Sequence, residues 1–192
     1  HRAPAARLNK AAGAGSRSPT MQPTIHATTV MAGPLAAMIR GAAGSGKSTL
    51  AMALIAMGDA AVFTALVSDD RTALSVRGGR LVASAPDTIA GLAEVRGIGI
   101  APVVRHVRAG VVGLVVDLVD GEDAPRVPGR DEACVNIEGV RMPRLVLPAA
   151  PAGDAGAKAA CVATALGLPR APARMPRSGV ESGQEIFKSV LR

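Results

Sequence analysis

"GAAGSGKSTLAMALIAMGD", residues 41–59, sets a glycine-rich turn directly against a run with helical spacing. Gly41, Gly46, Lys47 and Ser48 satisfy G-x-x-x-x-G-K-[ST]. That spacing curls backbone N–H groups round an anion at a helix N-terminus, because glycines allow the tight turn and the helix end leaves its first amides unpaired. Gly41, Ala42, Ala43, Gly44, Ser45, Gly46, Lys47, Ser48 and Thr49 are therefore expected to form a nucleotide-binding loop. Lys47 is to meet the β- and γ-phosphates, and the Ser48 hydroxyl is to ligate Mg2+, which makes ATP and Mg2+ the implied cofactors. A flexible Gly/Ser/Ala linker is the plain alternative, and the flanks weigh against it. Leu50, Leu54 and Met57 recur at helical spacing with Ala51 and Ile55 beside them, and Gly58 supplies a stop. Upstream, "IHATTVMAG" (25–33) and "LAAMIRG" (35–41) read as two short strands broken by the Gly33-Pro34 turn. Strand, loop and helix in that order predict an α/β fold.

The chain has 192 residues, 48% of them hydrophobic, which suits one domain with a real core. Its net charge of +7 invites a nucleic-acid reading, so the location of the surplus matters. Residues 1–20 hold four basic groups and no acid, residues 169–192 hold five basic and two acidic, and residues 21–168 hold 13 of each. The surplus lies in the ends, where a solvated tail explains it. With no Trp, no Tyr and two Phe there is also no aromatic platform for bases, so nucleic-acid binding is not expected. Cys134 and Cys161 carry no metal-ligand spacing and no secretory signal accompanies them, which points to thiols in a reducing, cytoplasmic setting. The best apolar run, "GVVGLVVDLVD" (110–120), is interrupted by Asp117 and Asp120, so no membrane helix is expected. Residues 1–20 read as a flexible basic extension ahead of Met21, and residues 21–168 as the domain. Beyond it "PRAPARMPRSG" (169–179) reads as a linker and "ESGQEIFKSVLR" (181–192) as a short helix.

A nucleotide site needs a carboxylate opposite the loop, usually at the end of an apolar strand. "AVFTALVSDD" (61–70) offers Asp69 and Asp70, and "GVVGLVVDLVD" offers Asp117 on the cleaner apolar strand. Adjacent residues on an extended chain point to opposite sides, so one of the paired acids would face the phosphates and the other would support it. A turn after the strand explains the same pair, and spacing alone leaves the choice open. In "LAEVRGIGIAP" (92–102) apolar and charged residues alternate into Gly-x-Gly, which reads as a strand leading to a tight loop, with Glu94 and Arg96 as an exposed ion pair by default.

Taken in order, "IHATTV", "GAAGSGKSTLAMALIAMGD", "LVSDDR" and "APDTIAGLAEVRGIGI" resemble the catalytic domain of HPr kinase/phosphorylase, over about residues 24–147. That family phosphorylates a serine of HPr, the phosphocarrier of the bacterial phosphotransferase system. The chain is similar to the short form of alphaproteobacteria, which lacks the family's N-terminal domain. The resemblance implies a single P-loop kinase-type domain with a mixed β-sheet around the phosphate-binding loop and helix. Lys47 matches the family's phosphate-loop lysine, Ser48 a Mg2+ ligand and Glu94 the second one. Asp70 matches the residue that takes the proton from the seryl hydroxyl, with Asp69 as its support. His26 matches a histidine beside that aspartate, and Arg126 in "APRVPG" (124–129) the active-site arginine. Arg96, Gly97 and Gly99 fall in the loop the family needs for catalysis. Without the resemblance His26 would read as a polar residue at a strand start.

The family's proline-arginine-glycine-rich segment, tied to phosphate removal, is missing from "PRLVLPAAPAGDAGAKAA" (143–160), so kinase rather than phosphorylase activity is expected. HPr is the implied partner, and the family's hexamers imply self-assembly. A small-molecule P-loop kinase or nucleotidase would need an Arg-rich lid, which the chain does not show in compact form. An ATP-binding sensor without transfer is the third reading, and loss of Asp70 would leave such a sensor intact.

Overall fold

Gly33, with φ at 65°, opens a two-residue turn that folds β1 (Thr24–Ala32) and β2 (Leu35–Gly41) into an antiparallel hairpin running from Ala32↔Leu35 to Ala27↔Arg40. The computed structural model describes residues 23–59, 61–95, 97–126, 129, 132–151 and 154–168. The expected basic extension, the linker and terminal helix beyond residue 168, and Arg96 all lie outside the described residues. β2 leads through the glycine-rich turn into α1 (Lys47–Ala56). Ala, Leu and Met dominate α1 and suit a helix, and the chain leaves it at Met57 and Gly58 as expected.

Five strands make the layer beneath α1. β3 (Thr64–Ser68) pairs antiparallel with β1, β8 (Ala109–Val119) pairs parallel with β2, and β10 (Val140–Pro148) pairs parallel with β8. The sheet is therefore mixed, as the resemblance implied. β2 and the C-terminal half of β8 are covered on both faces and read as near-continuous apolar runs for that reason. Ile39, Leu114, Val116 and Leu118 of the sheet share one apolar cluster with Leu50, Leu54 and Ile55 of α1. Full burial of each such side chain contributes about 1.5–3 kcal/mol. The sequence reading passed over α2 (Ala155–Ala165), which packs Ala159 and Val162 into the same cluster. Asp154 caps it by accepting from the Gly156 N–H at 3.1 Å. With the sheet on one side and α2 on another, most of α1 is buried, which explains why its apolar residues are not confined to one stripe.

The opposite face carries a second core. β4 (Arg71–Arg77) and β5 (Arg80–Ser84) form a hairpin over Gly78 and Gly79, whose φ values of 56° and 73° fit the turn that two positive-φ residues make. β4 pairs with the start of β1 and β5 with the start of β8, so β1, β2, β8, β5 and β4 close on themselves. Ala27, Met38, Leu81, Ala83, Val112 and Val115 from these strands form one apolar cluster. β9 (Cys134–Ile137) hairpins with β10 and adds Val135 and Ile137 to it. β6 (Leu92–Val95) and β7 (Gly99–Pro102) stand apart as a two-stranded hairpin, turned at the positive-φ residues Gly97 and Gly99. Among the described residues no helix is long and apolar enough to cross a membrane.

Candidate active site

The glycine-rich turn keeps its form because side chains are excluded from it. A Cβ on Gly41, whose φ is 151°, would stand 2.6 Å from Ser45 Oγ and 2.8 Å from the Leu118 carbonyl oxygen. Gly44 and Gly46 have φ values of 77° and 96°. No side chain caps α1 and no acid occupies its first turn, so the positive end of the helix is left to whatever lies in the cavity before it. That cavity has a volume of about 580 Å³. Ala43, Gly44, Gly46, Lys47, Ser48 and Thr49 line one side of it, and His26, Asp70, Glu94 and Ala150 the other. Ser45 Oγ is buried with no hydrogen-bond partner among the described residues. Free helix amides and the Lys47 ammonium beside one cavity fit a phosphate group.

Lys47 is almost wholly buried. Its Nζ donates to the Gly41 carbonyl at 3.1 Å and the Ala42 carbonyl at 3.0 Å, and stands 2.8 Å from His26 Nε2. His26 Nδ1 in turn lies 2.9 Å from Asp70 Oδ1. The line Lys47, His26, Asp70 is contiguous across three elements. β1 supplies the imidazole, α1 the ammonium, and the β3–β4 junction the carboxylate.

At that junction the expected geometry needs correction. Asp69 and Asp70 do not part because an extended strand alternates its faces. Asp70 has φ at 60°, and the Arg71 N–H donates to the Asp69 carbonyl at 2.7 Å, so the chain makes a three-residue turn centred on Asp70. Aspartate tolerates this left-handed conformation better than most residues, yet it carries strain. The Ser68 hydroxyl, donating to the Arg71 carbonyl, and the Asp70 N–H, 3.4 Å from Thr28 Oγ1, brace the turn. The two carboxylates part in their surroundings. The Asp70 side chain is 57% exposed, whereas Asp69 is 5% exposed and points inward.

Asp69 accepts from Thr28 Oγ1 at 2.8 Å, from Ser48 Oγ at 2.9 Å and from the Glu94 N–H at 3.0 Å. One carboxylate thus ties β1, the first turn of α1 and the β6–β7 hairpin together. Because Ser48 spends its proton on Asp69, its oxygen keeps lone pairs for a cation, and Glu94 opens on the same cavity. Among the described residues no group of three His, Cys, Asp or Glu side chains is placed to hold a metal ion. Thr28 escaped the sequence reading, although it lies two residues from His26 on β1 and so shares its face.

Other expected residues fall elsewhere. Gly97 and Gly99 sit at the tip of the β6–β7 hairpin, and Arg126 is exposed beyond the single helical turn at Gly121–Asp123; none of the three lines the cavity. Asp117, the rival strand-end acid, is engaged by two arginines. Arg40 Nε and Nη2 donate to its two oxygens at 2.7 Å each, and Arg144 Nε donates at 2.6 Å. Burial pushes the Asp117 carboxyl up, but the hydrogen bonds and charges of Arg40 and Arg144 outweigh it and hold it below the ordinary value. The cluster clamps the middle of β10 to the C-terminal ends of β2 and β8, where β2 enters the glycine-rich turn. The Ala150 N–H donates to the Ser45 carbonyl at 2.9 Å, and Ala150 lines the cavity.

A family profile described as the HPr Serine kinase C-terminal domain matches residues 19–165. An HPr kinase/phosphorylase of Brevibacillus brevis is 30% identical over 137 residues, 67% of this chain and 42% of the relative. Another, of Geobacillus thermodenitrificans, is 29% identical over 171 residues, 84% of this chain and 52% of the relative. The chain spans about half the length of the relatives it matches. Among solved structures, the Hpr(Ser) kinase/phosphatase from Coxiella burnetii aligns with a TM-score of 0.63 at 26% identity, covering 75% of this chain and 90% of that one.

Proposed function

This chain belongs to the HPr serine kinase C-terminal domain family, and from that premise we propose that it is an ATP-dependent kinase acting on a serine of an HPr-like phosphocarrier. The observation that carries the reading is the convergence of Lys47, His26, Ser48, Asp70 and Glu94 on one cavity at the N-terminus of α1. In this reading residues 41–49 are a P-loop, and their amides and Lys47 hold the phosphates. Bound ATP supplies the phosphoryl group, and Mg2+ neutralises the charge that develops on it. Ser48 and Glu94, which both open on the cavity, would hold the Mg2+ from the protein side.

A seryl hydroxyl is a poor nucleophile until it is aligned and its proton has a destination. Asp70, exposed at the cavity and braced by its turn, is that destination, and His26 orients it. Asp69 holds Ser48 and the β6–β7 hairpin in register with the base. Arg126 belongs to the reading as the match to the family's active-site arginine, and Arg96, Gly97 and Gly99 as the match to its catalytic loop. Transfer to HPr outweighs the reverse phosphorylase reaction in this reading, because "PRLVLPAAPAGDAGAKAA" (143–160) lacks the family's proline-arginine-glycine-rich segment tied to phosphate removal. Residues 21–168 are the catalytic domain, a cytoplasmic setting suits the free thiols of Cys134 and Cys161, and the family's hexamer is the assembly to look for.

The test is a transfer assay with purified chain, Mg2+, labelled ATP and HPr, run beside Asp70→Asn. Acid-stable label on an HPr serine, lost in the variant while nucleotide binding persists, is the expected result. Absence of label on HPr with ATP still bound sinks the reading and turns the search to another acceptor or a sensing role.

A further inference from the structure

The Lys47 ammonium carries three N–H donors and no acceptor, and all three are matched by the protein: the Gly41 carbonyl, the Ala42 carbonyl and His26 Nε2. The third partner dictates a tautomer. Lys47 can only donate, so His26 Nε2 must offer its lone pair, which puts the ring proton on Nδ1. Nδ1–H then donates to Asp70 Oδ1 at 2.9 Å. An imidazolium would set an N–H of the ring head-on against an N–H of the ammonium at 2.8 Å, so the ring in this arrangement is neutral. The loop carbonyls are fixed by the backbone, while the imidazole belongs to another strand. A single ring therefore holds the phosphate-loop cation through one nitrogen and the exposed carboxylate through the other.

We propose that His26 is a positioning residue that restrains the Lys47 ammonium through Nε2 while it braces Asp70 through Nδ1, so that a phosphate entering the loop must draw Lys47 away from the imidazole. The last part of the inference rests on the proposed nucleotide site. A phosphate in the cavity competes for the ammonium of Lys47 against the three acceptors that hold it. As Lys47 turns to the phosphate, His26 Nε2 loses its donor, while Nδ1–H keeps its hold on Asp70. The carboxylate stays braced while the cation moves, and the freed Nε2 is exposed to the cavity that His26 lines. No proton leaves or enters the Asp70–His26 pair in this exchange. The identity of residue 26 thus sets two properties through two different atoms.

Two substitutions separate those atoms. His26→Asn keeps a short side-chain N–H donor near the Nδ1 position and removes the acceptor for Lys47. His26→Gln keeps an acceptor near the Nε2 position and removes the short donor to Asp70. With the full chain, titration with a non-hydrolysable ATP analogue and Mg2+ should give His26→Asn a dissociation constant lower by about three-fold or more, because the ammonium is released at less cost, since one charge-assisted hydrogen bond is worth roughly this much or more. His26→Gln should bind the analogue as the parent does and lose about ten-fold in kcat for HPr. Equal profiles for the two variants overturn the inference. The tautomer is read without nucleotide or HPr, from the 15N shifts of the imidazoles, with the signal of residue 26 identified by its loss in His26→Gln. A protonated Nδ1 and a lone pair on Nε2 are expected, and the Nε2 shift should move when the analogue is added. A ring protonated on Nε2 overturns the inference while leaving the kinase reading untouched. Absence of analogue binding together with the expected tautomer instead refutes the nucleotide site.

Discussion

Replacing Asp69 by asparagine changes one oxygen to an amide and tests whether this residue organises the site. The carboxylate is buried and accepts from Thr28 Oγ1, Ser48 Oγ and the Glu94 N–H at 2.8, 2.9 and 3.0 Å. Asparagine has one acceptor oxygen. Kept toward Thr28 and Ser48, it turns its NH2 against the Glu94 N–H, donor against donor. One charge-assisted hydrogen bond, worth about 1.5–3 kcal/mol, is lost and the other two weaken to neutral ones. We therefore expect destabilisation of about 3 kcal/mol, or a fall in Tm of about 6–12 °C for a domain of this size. Thr28→Val removes the donor to Asp69 together with the long contact to the Asp70 N–H, and should cost about 1–1.5 kcal/mol. Differential scanning calorimetry reads both, and hydrogen exchange reads the local effect, since the Glu94 amide should lose protection in Asp69→Asn and keep it in Thr28→Val. A melting point for Asp69→Asn within about 1 °C of the parent would refute the reasoning. So would a large fall in Tm with the Glu94 amide still protected, because the β6–β7 hairpin would then be held by something else.

Gly41→Ala should abolish nucleotide binding and lower stability by about 2 kcal/mol or more, because the added methyl meets Ser45 Oγ and the Leu118 carbonyl at under 3 Å in a backbone conformation that disfavours alanine; a filter-binding assay and a melting curve check it. Asp117 gives a pH signature: its folded pKa lies below the ordinary 3.8, so its clamp contributes stability that is fully present above that value and is lost as pH falls through the folded pKa. The Tm of the parent should fall further between about pH 6 and about pH 3 than that of Asp117→Asn, and parallel curves would contradict the clamp.

How much could be read beforehand depends on how local each feature is. The turn at Gly33-Pro34, the glycine-rich loop and α1 were legible because each is decided by residues a few positions apart: glycines at the bends, Ala, Leu and Met in the helix, Gly58 after it. The Gly78-Gly79 hairpin and the Asp154 cap of α2 left equally local signals, in "RGGR" and "GDAGAKAA", that went unused. Charge was legible as well, since counting placed the basic surplus in the ends.

The choice among Asp69, Asp70 and Asp117 was of another kind. All three stand at the end of an apolar run, and nothing within the run separates them. Asp117 is neutralised by Arg40 and Arg144 only because the parallel strands β2, β8 and β10 lie side by side. Asp69 is buried only because β1, α1 and β6 converge on it, and Asp70 is turned outward by a left-handed residue that no propensity predicts. His26 meets Lys47, 21 positions away, because the β1–β2 hairpin returns the chain to the start of α1. The sequence by itself determined that a glycine-rich turn precedes a helix, because backbone conformation at glycines and the helix preference of Ala, Leu and Met are short-range properties. Which carboxylate faces that turn, and which imidazole stands between carboxylate and ammonium, was decided by strand pairing and register alone, since those bring together groups whose separation along the chain carries no trace of their contact.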